Sequence, residues 1–566
     1  MSEIDVGAAE QDLVGRVIGT EDATPLTFHL GIAAGKYLQL DDVVVTDRTL
    51  PDGKQVKLSG IVTGVAARQE GARFDSDVFL INDGVLPAQL IEVAEVLTTR
   101  VEPEVFVPPL PGSAVRKAVA AEREHALFFD EMRTKLPVGT GRDGEPVFVN
   151  LEFLDGTRGA HVNISGISGV ATKTTYATFL LYSLFGSDVL GGDALNSKAL
   201  IFNVKGEDLL FLDHANNELD DASRDRYAAL GLPCKPFDSV AIYAPPRRSD
   251  PNAGPDTATR LTGVNAYYWT LAEFCEQELL SFVFADAEDD RNQYSLVVHQ
   301  VTSVLRRDGA KVGEDGAWRV DGKVLRTYRE LVDLVVERVS DDATRYEWAG
   351  PAIGIGTVNA FVRRLLGSVK AIEPMVRADV PLRDRHTIST SEARVTVVDL
   401  HNLPDRAKRF VVGVTIRREF ERKESTGMAR PLMFLVLDEL NKYAPREGSS
   451  PIKEILLDVA ERGRSLGVIL VGCQQTASEV ERRIIANSSI RVAGRLDPAE
   501  AGRPEYGFLP SGHRARATIA KPGTMFVSQP ELPVPLVVEF PFPAWATRPS
   551  EKVPQQPLTG DPFEGL

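Results

Sequence analysis

The chain has 566 residues, 43% of them hydrophobic and 25% charged, a globular composition too long for one ordinary domain, so two to four domains are expected. Its 64 basic and 80 acidic residues leave a formal charge of −16, which excludes a protein that coats nucleic acid with its whole surface but not a ring with an acidic outside and a locally basic channel. No apolar run reaches the roughly twenty residues of a membrane span, the first residues Met1-Ser2-Glu3-Ile4-Asp5 have no secretory apolar core, and Cys234, Cys275 and Cys473 have no metal-ligand spacing, so a reduced, cytoplasmic protein is expected.

In chain order, residues from about 11 to 110 hold short β-like runs separated by Gly and Asp turns. Examples are Leu13-Val14-Gly15-Arg16-Val17-Ile18, Asp42-Val43-Val44-Val45 and Ala88-Gln89-Leu90-Ile91-Glu92-Val93. They predict a small β-barrel within residues 1–112, with an exit linker at 105–112. A helix is expected near 115–133. An α/β core is then predicted over 113–540, with strands at 160–165, 199–204, 395–400, 434–438 and 468–472. Runs at 492–496, 523–528 and 536–540 extend the sheet. Helical patterns between the earlier strands suggest a doubly wound sheet with crossover connections. From about 267 to 370 the patterns are amphipathic and helical (268–284, 291–307, 325–339, 357–369), which predicts an all-helical insertion. The end, 541–566, is Pro-rich and polar and reads as a mobile tail or an arm to a neighbour.

Two motifs carry chemistry. Phe434-Leu435-Val436-Leu437-Asp438-Glu439 is an apolar strand ending in two acids. Open α/β sheets bind ligands at that end of a strand. There Asp438 can hold Mg²⁺, directly or through water, and Glu439 can polarise a water for attack on phosphate. Upstream, the apolar run Ala160-His161-Val162-Asn163-Ile164 leads into Gly166-Ile167-Ser168-Gly169-Val170-Ala171-Thr172-Lys173-Thr174 and then into a helical pattern from Thr175. This is P-loop order: loop amides cradle phosphates, Lys173 reaches the terminal phosphates and the Thr174 hydroxyl binds Mg²⁺. The fit is imperfect, because Thr172 stands where Gly usually precedes the lysine and Ile167 stands where the first Gly is counted. One extra loop residue restores Gly166 and Gly169 to useful positions. Gly166, Gly169, Thr172, Lys173, Thr174 and Thr175 are the candidate nucleotide-binding residues. An ordinary βα turn with a surface lysine is the competing account, and the downstream acid pair favours nucleotide.

With the barrel before, the helical insertion within, and Glu461-Arg462-Gly463-Arg464-Ser465-Leu466-Gly467-Val468 and Leu470-Val471-Gly472-Cys473-Gln474-Gln475-Thr476 after the acids, the chain resembles the HerA family of hexameric DNA-translocating ATPases in the HerA/FtsK group. The resemblance covers nearly the whole chain. It implies a RecA/FtsK-like P-loop core, a HAS-type N-terminal barrel, ATP and Mg²⁺ as ligands, a homo-hexamer around double-stranded DNA, and a separate nuclease or other effector docking on the barrel. It also implies that Glu439 activates water and that Asp438 and Thr174 serve the metal. Arg464 would be an arginine finger offered to a neighbouring subunit, and Gln475, or alternatively Gln474, a γ-phosphate sensor. Arg158 matches a further basic residue of the family. For Arg464 the bland alternatives are a helix cap or a pair with Glu461. A second departure lies in Phe202-Asn203-Val204-Lys205-Gly206-Glu207, where relatives commonly carry an acid and this chain has Asn203, with Glu207 or Asp208 nearby. Both departures bear on turnover rate. The expected function is an ATP-driven DNA motor. The alternatives are a nucleotide-gated scaffold ring with slow hydrolysis and, more remotely, a conjugation-type ATPase that would need a membrane partner.

Overall fold

The computed structural model describes residues 13–72, 74–167, 173–248, 250–284, 293–381 and 386–552. Two compact units emerge, one of Met1–Leu151 with Val492–Glu539, the other of Glu152–Arg491 with Phe540–Leu566.

In the first unit six antiparallel strands, β1 (Leu13–Val17), β2 (Thr27–Ile32), β3 (Val43–Thr49), β4 (Gln55–Glu70), β5 (Gln89–Glu102) and β6 (Ala114–Lys117), close a barrel in the order β1-β2-β5-β4-β3-β6. Apolar residues at alternating positions point inward, with Val17, Phe28, Leu30, Val44, Val62, Val96 and Val115 in one core. Gly60 is required where β4 passes β5: a Cβ there would lie 2.5 Å from Val96 Cγ1 and 2.7 Å from the Leu97 carbonyl oxygen. The closing strand β6 lies past the linker expected at 105–112, in the stretch that reads as helix. Val115 is fully buried and Ala114 exposed, as neighbours on opposite faces of a strand are. The helix that follows is short, Ala121–Ala126. The same unit holds β7 (Lys135–Thr140) paired antiparallel with β8 (Pro146–Asn150), and Thr524–Ser528 paired antiparallel with Leu536–Glu539.

The second unit is built on a parallel sheet of β9 (Val162–Ser165), β10 (Lys198–Asn203), β11 (Val240–Ala244), β12 (Val264–Ala266), β16 (Val395–Asp399), β17 (Met433–Leu437) and β18 (Val468–Gln474), in the order β12-β11-β16-β10-β17-β18-β9. β9, β16, β17 and β18 are buried at every residue, as continuous apolar runs predict for strands covered on both faces. One strand, β18, separates β9 from β17. This is the RecA/FtsK-like P-loop arrangement. β11 and β12 were not expected, because Pro245 and Pro246 and the further prolines Pro251 and Pro255 in the connection between them resemble loop. The insertion contains the helices Gln293–Arg307, Tyr328–Ser340 and Ile355–Ile372. It is not helical throughout: β13 (Ala310–Val312), β14 (Ala317–Val320) and β15 (Lys323–Leu325) form an antiparallel sheet. Turns at Gly313, Gly316 and Gly322, all at positive φ, join strands too short to show a period. The helix after it starts where Thr327 and Glu330 make a reciprocal capping box.

Residues 541–552, expected within a tail, pack on this unit. The Trp545 ring, 1% exposed, lies 5.0 Å from the rings of Tyr182 and Phe237, and Asn216 Nδ2 donates to the Pro543 carbonyl at 3.1 Å. A large apolar anchor overrides the proline content. The tail expectation for 553–566 lies outside the described residues.

Candidate functional site

The C-terminal ends of β9, β18, β17 and β10 meet along one edge of the sheet. β9 ends at Ser165, and the Gly166 amide donates to the Gln474 carbonyl at 3.2 Å. Gly169 and Thr172 lie outside the described residues. Lys173 opens the helix Lys173–Gly186 and is 2% exposed. That helix is buried on most of its circumference, which fixes its first turn. Thr174 Oγ1 donates to Asp438 Oδ2 at 2.9 Å, and Thr175 is half-buried at the next position.

Asp438 and Glu439 follow β17 directly and are 2% and 9% exposed. Glu439 holds a left-handed backbone, φ +55° and ψ +45°, a conformation that costs a non-glycine residue about 1–3 kcal/mol and persists where surroundings enforce it. Its amide donates to Asp438 Oδ1 at 2.8 Å. Its Oε1 accepts from Gln475 Nε2 at 3.2 Å. Five of the expected residues, Lys173, Thr174, Asp438, Glu439 and Gln475, thus converge from three distant segments. Gln474 goes elsewhere: fully buried, it donates to Asn163 Oδ1 at 2.8 Å and Ser165 Oγ at 2.7 Å, tying β18 to β9.

A residue that the motifs do not name joins them. Lys205 Nζ lies 2.5 Å from Glu439 Oε1 and 3.2 Å from Asp438 Oδ2. The signal was present in Asn203-Val204-Lys205, a stretch that draws attention for the acid it lacks rather than the base it adds. Asn203 is itself satisfied, its Nδ2 donating to Asp399 Oδ1 at 2.9 Å and to the Gly206 carbonyl at 2.8 Å. The carboxylate missing at 203 therefore stands one strand over, at the paired position on β16, and Asp399 also holds His401 Nδ1 at 2.8 Å. Glu207 accepts the amides of Ala258 and Thr259. Burial raises the Asp208 carboxyl above the usual range.

Burial pulls the Lys173 ammonium below its ordinary pKa, with Asp438 opposing. For Lys205 burial also pulls downward, but Asp438 and Glu439 outweigh it and the value is raised. Glu439 is the mirror case: burial pushes its carboxyl up, and Lys205 holds it below the usual range. The fully buried Cys473 thiol is pushed well above its usual value by burial.

Arg464 is exposed and donates through Nε to the Gly156 carbonyl at 3.1 Å and through an Nη to that of Thr157 at 2.8 Å. Glu461 pairs instead with Arg483 at 3.1 Å. The glycines around Arg464 have packing reasons. A Cβ on Gly463 would meet the Val468 carbonyl oxygen at 2.5 Å, and Gly467 ends the helix Pro451–Leu466 at φ +66°. Arg158 lies over the Phe153 ring at 4.6 Å and near Glu152 at 3.9 Å.

His161, at the entry to β9, is 1% exposed and accepts the Leu470 amide at Nδ1 at 2.9 Å. Burial lowers its pKa to about 4. The unfolded chain protonates it near pH 6.5, so between those values the unfolded state binds more protons. The contribution is fully present above pH 6.5 and is lost as pH falls toward 4, about 3 kcal/mol across the window. Urea unfolding between pH 7 and 4 should show the loss, and His161→Gln, which keeps an acceptor and does not titrate, should lose less over the same interval.

No family model matches the chain, and no curated protein matches its sequence. Among solved structures it is similar to VirB4 of Thermoanaerobacter pseudethanolicus, with 15% identity over 72% of this chain and 96% of that one and a TM-score of 0.44. It is also similar to the bacterial conjugative coupling protein TrwBdeltaN70 in complex with sulphate, with 14% identity, 76% and 95% coverage and a TM-score of 0.49. A third is the plasmid coupling protein TrwB in complex with a non-hydrolysable GTP analogue, at 13% identity, 78% and 95% coverage and a TM-score of 0.47. Among the described residues no helix is long and apolar enough to cross a membrane.

Proposed function

We propose that the chain is the ATP-hydrolysing subunit of a HerA-type homo-hexameric ring that translocates double-stranded DNA and works with a separate nuclease or other effector docked on its barrel. The observation that carries this reading is the meeting of Thr174, Asp438, Glu439 and Gln475 with buried Lys173 at the C-terminal edge of a P-loop sheet. The residues fit Mg²⁺: the Thr174 hydroxyl donates its hydrogen bond to Asp438, which leaves the hydroxyl lone pairs for a hard cation. When bound, Mg²⁺ would neutralise and orient the phosphates. Lys173 adds fixed positive charge to the terminal phosphates. Glu439 takes the proton of the attacking water as its oxygen bonds to the γ-phosphorus and the bond to the ADP oxygen breaks. Gln475, bonded to Glu439, holds that carboxylate or reports on the γ-phosphate.

Steady-state ATPase assays with and without duplex DNA test the proposal. Turnover should rise with DNA of any sequence, and the stimulation should weaken as salt rises, because only phosphate is read. Tight ATP binding with no DNA response would instead favour a nucleotide-gated scaffold. The pairing of Lys205 with both acids supports that second reading, because a carboxylate held by an ammonium is a poorer base.

A further inference from the structure

We infer that Lys205 is a positioning residue of this site, a built-in counter-ion to the Asp438–Glu439 pair that a divalent cation must displace when nucleotide loads. The inference rests on the reading of the site as one for Mg²⁺ and ATP.

Three observations carry it. The ammonium contacts Asp438 Oδ2, the same oxygen that accepts the Thr174 hydroxyl, so the lysine and the metal-binding pair share one acceptor. It also holds Glu439 Oε1, the oxygen that Gln475 addresses. Second, the backbone on either side is fixed. Asn203 binds the Gly206 carbonyl, Gly206 takes the turn at φ +54°, Lys408 Nζ donates to the Val204 carbonyl at 3.4 Å, and Glu207 accepts the amides of Ala258 at 2.6 Å and Thr259 at 2.8 Å. Third, the Lys205 side chain is 44% exposed, so the ammonium can move into water while its loop stays in place. A divalent cation and an ammonium on one carboxylate repel each other. Lys205 therefore neutralises two buried acids that would otherwise repel each other and an incoming triphosphate, and gives way as the divalent cation arrives.

The test measures binding rather than turnover. Full-length protein is titrated with Mg²⁺ at a fixed concentration of a fluorescent, non-hydrolysable ATP analogue. In Lys205→Met, which keeps the stem and removes the charge, the half-saturating Mg²⁺ concentration should fall about tenfold, the equilibrium worth of one charge-assisted hydrogen bond. Lys205→Arg, which keeps the charge, should return it toward the wild-type value. An unchanged Mg²⁺ requirement in Lys205→Met overturns the inference. So does a rise, which would place the lysine on the phosphates. Wild-type protein that binds no analogue at any Mg²⁺ concentration overturns the nucleotide reading itself, a separate result.

Discussion

Glu439→Gln should lower ATP turnover by roughly 10²- to 10⁴-fold, the range set by loss of a positioned general base, while binding of a non-hydrolysable analogue stays within a few-fold of wild type. The substitution is nearly isosteric. An amide oxygen at Oε1 still accepts from Gln475 and Lys205, so the left-handed turn after β17 keeps its side-chain contacts. The carbamoyl group does not take a proton from water at neutral pH. Asp438 and Thr174 are untouched, so the pair proposed for the metal remains. The expected outcome is a ring that loads ATP, holds it and turns over slowly with or without DNA. Single-turnover measurement of γ-phosphate release separates this from a loading defect. Release at the wild-type rate would remove Glu439 from the chemistry and leave its strained backbone without a catalytic reason.

Five of the seven parallel strands were legible because they are buried on both faces and therefore carry apolar runs, as in Met433–Leu437 and the first four residues of Val468–Gln474. The barrel was legible from short β-like runs and the Gly and Asp turns between them, but its closing strand was not. Ala114–Lys117 is four residues long, too short for its period to compete with the helical pattern around it. The small sheet at 310–325 escaped for the same reason. At the site, residues that belong to a motif could be named in advance, because spacing within one βα unit dictates where they fall. Lys205 and Asp399 could not. Their position depends on which strands lie side by side, β16 on β10 and β10 on β17, and adjacency of strands so far apart in the chain is a property of the fold. The choice between Gln474 and Gln475 also waited for the structure: Gln474 is the last residue of β18 and bonds to β9, while Gln475 lies just past the strand end beside Glu439, and sequence alone does not say where the strand stops.

Arg464→Ala gives the second large effect. If the guanidinium serves a neighbouring subunit, hydrolysis in the assembled ring should fall by roughly 10³- to 10⁵-fold, the span associated with arginine fingers, with nucleotide binding nearly intact. Within its own chain Arg464 makes two hydrogen bonds to the exposed 156–157 turn. Such bonds are worth on the order of 1 kcal/mol each, so the variant should fold, and a thermal midpoint close to wild type would confirm that the loss is functional. The role between subunits has its own readout. Arg464→Ala supplies an intact Lys173, and Lys173→Ala supplies an intact Arg464. In a mixed ring some interfaces then combine a working phosphate loop with a working finger, and activity should partly return although each variant alone is inactive. If no mixing ratio restores turnover while both variants still assemble, the arginine acts only on its own chain, as a clasp on the turn that leads into β9.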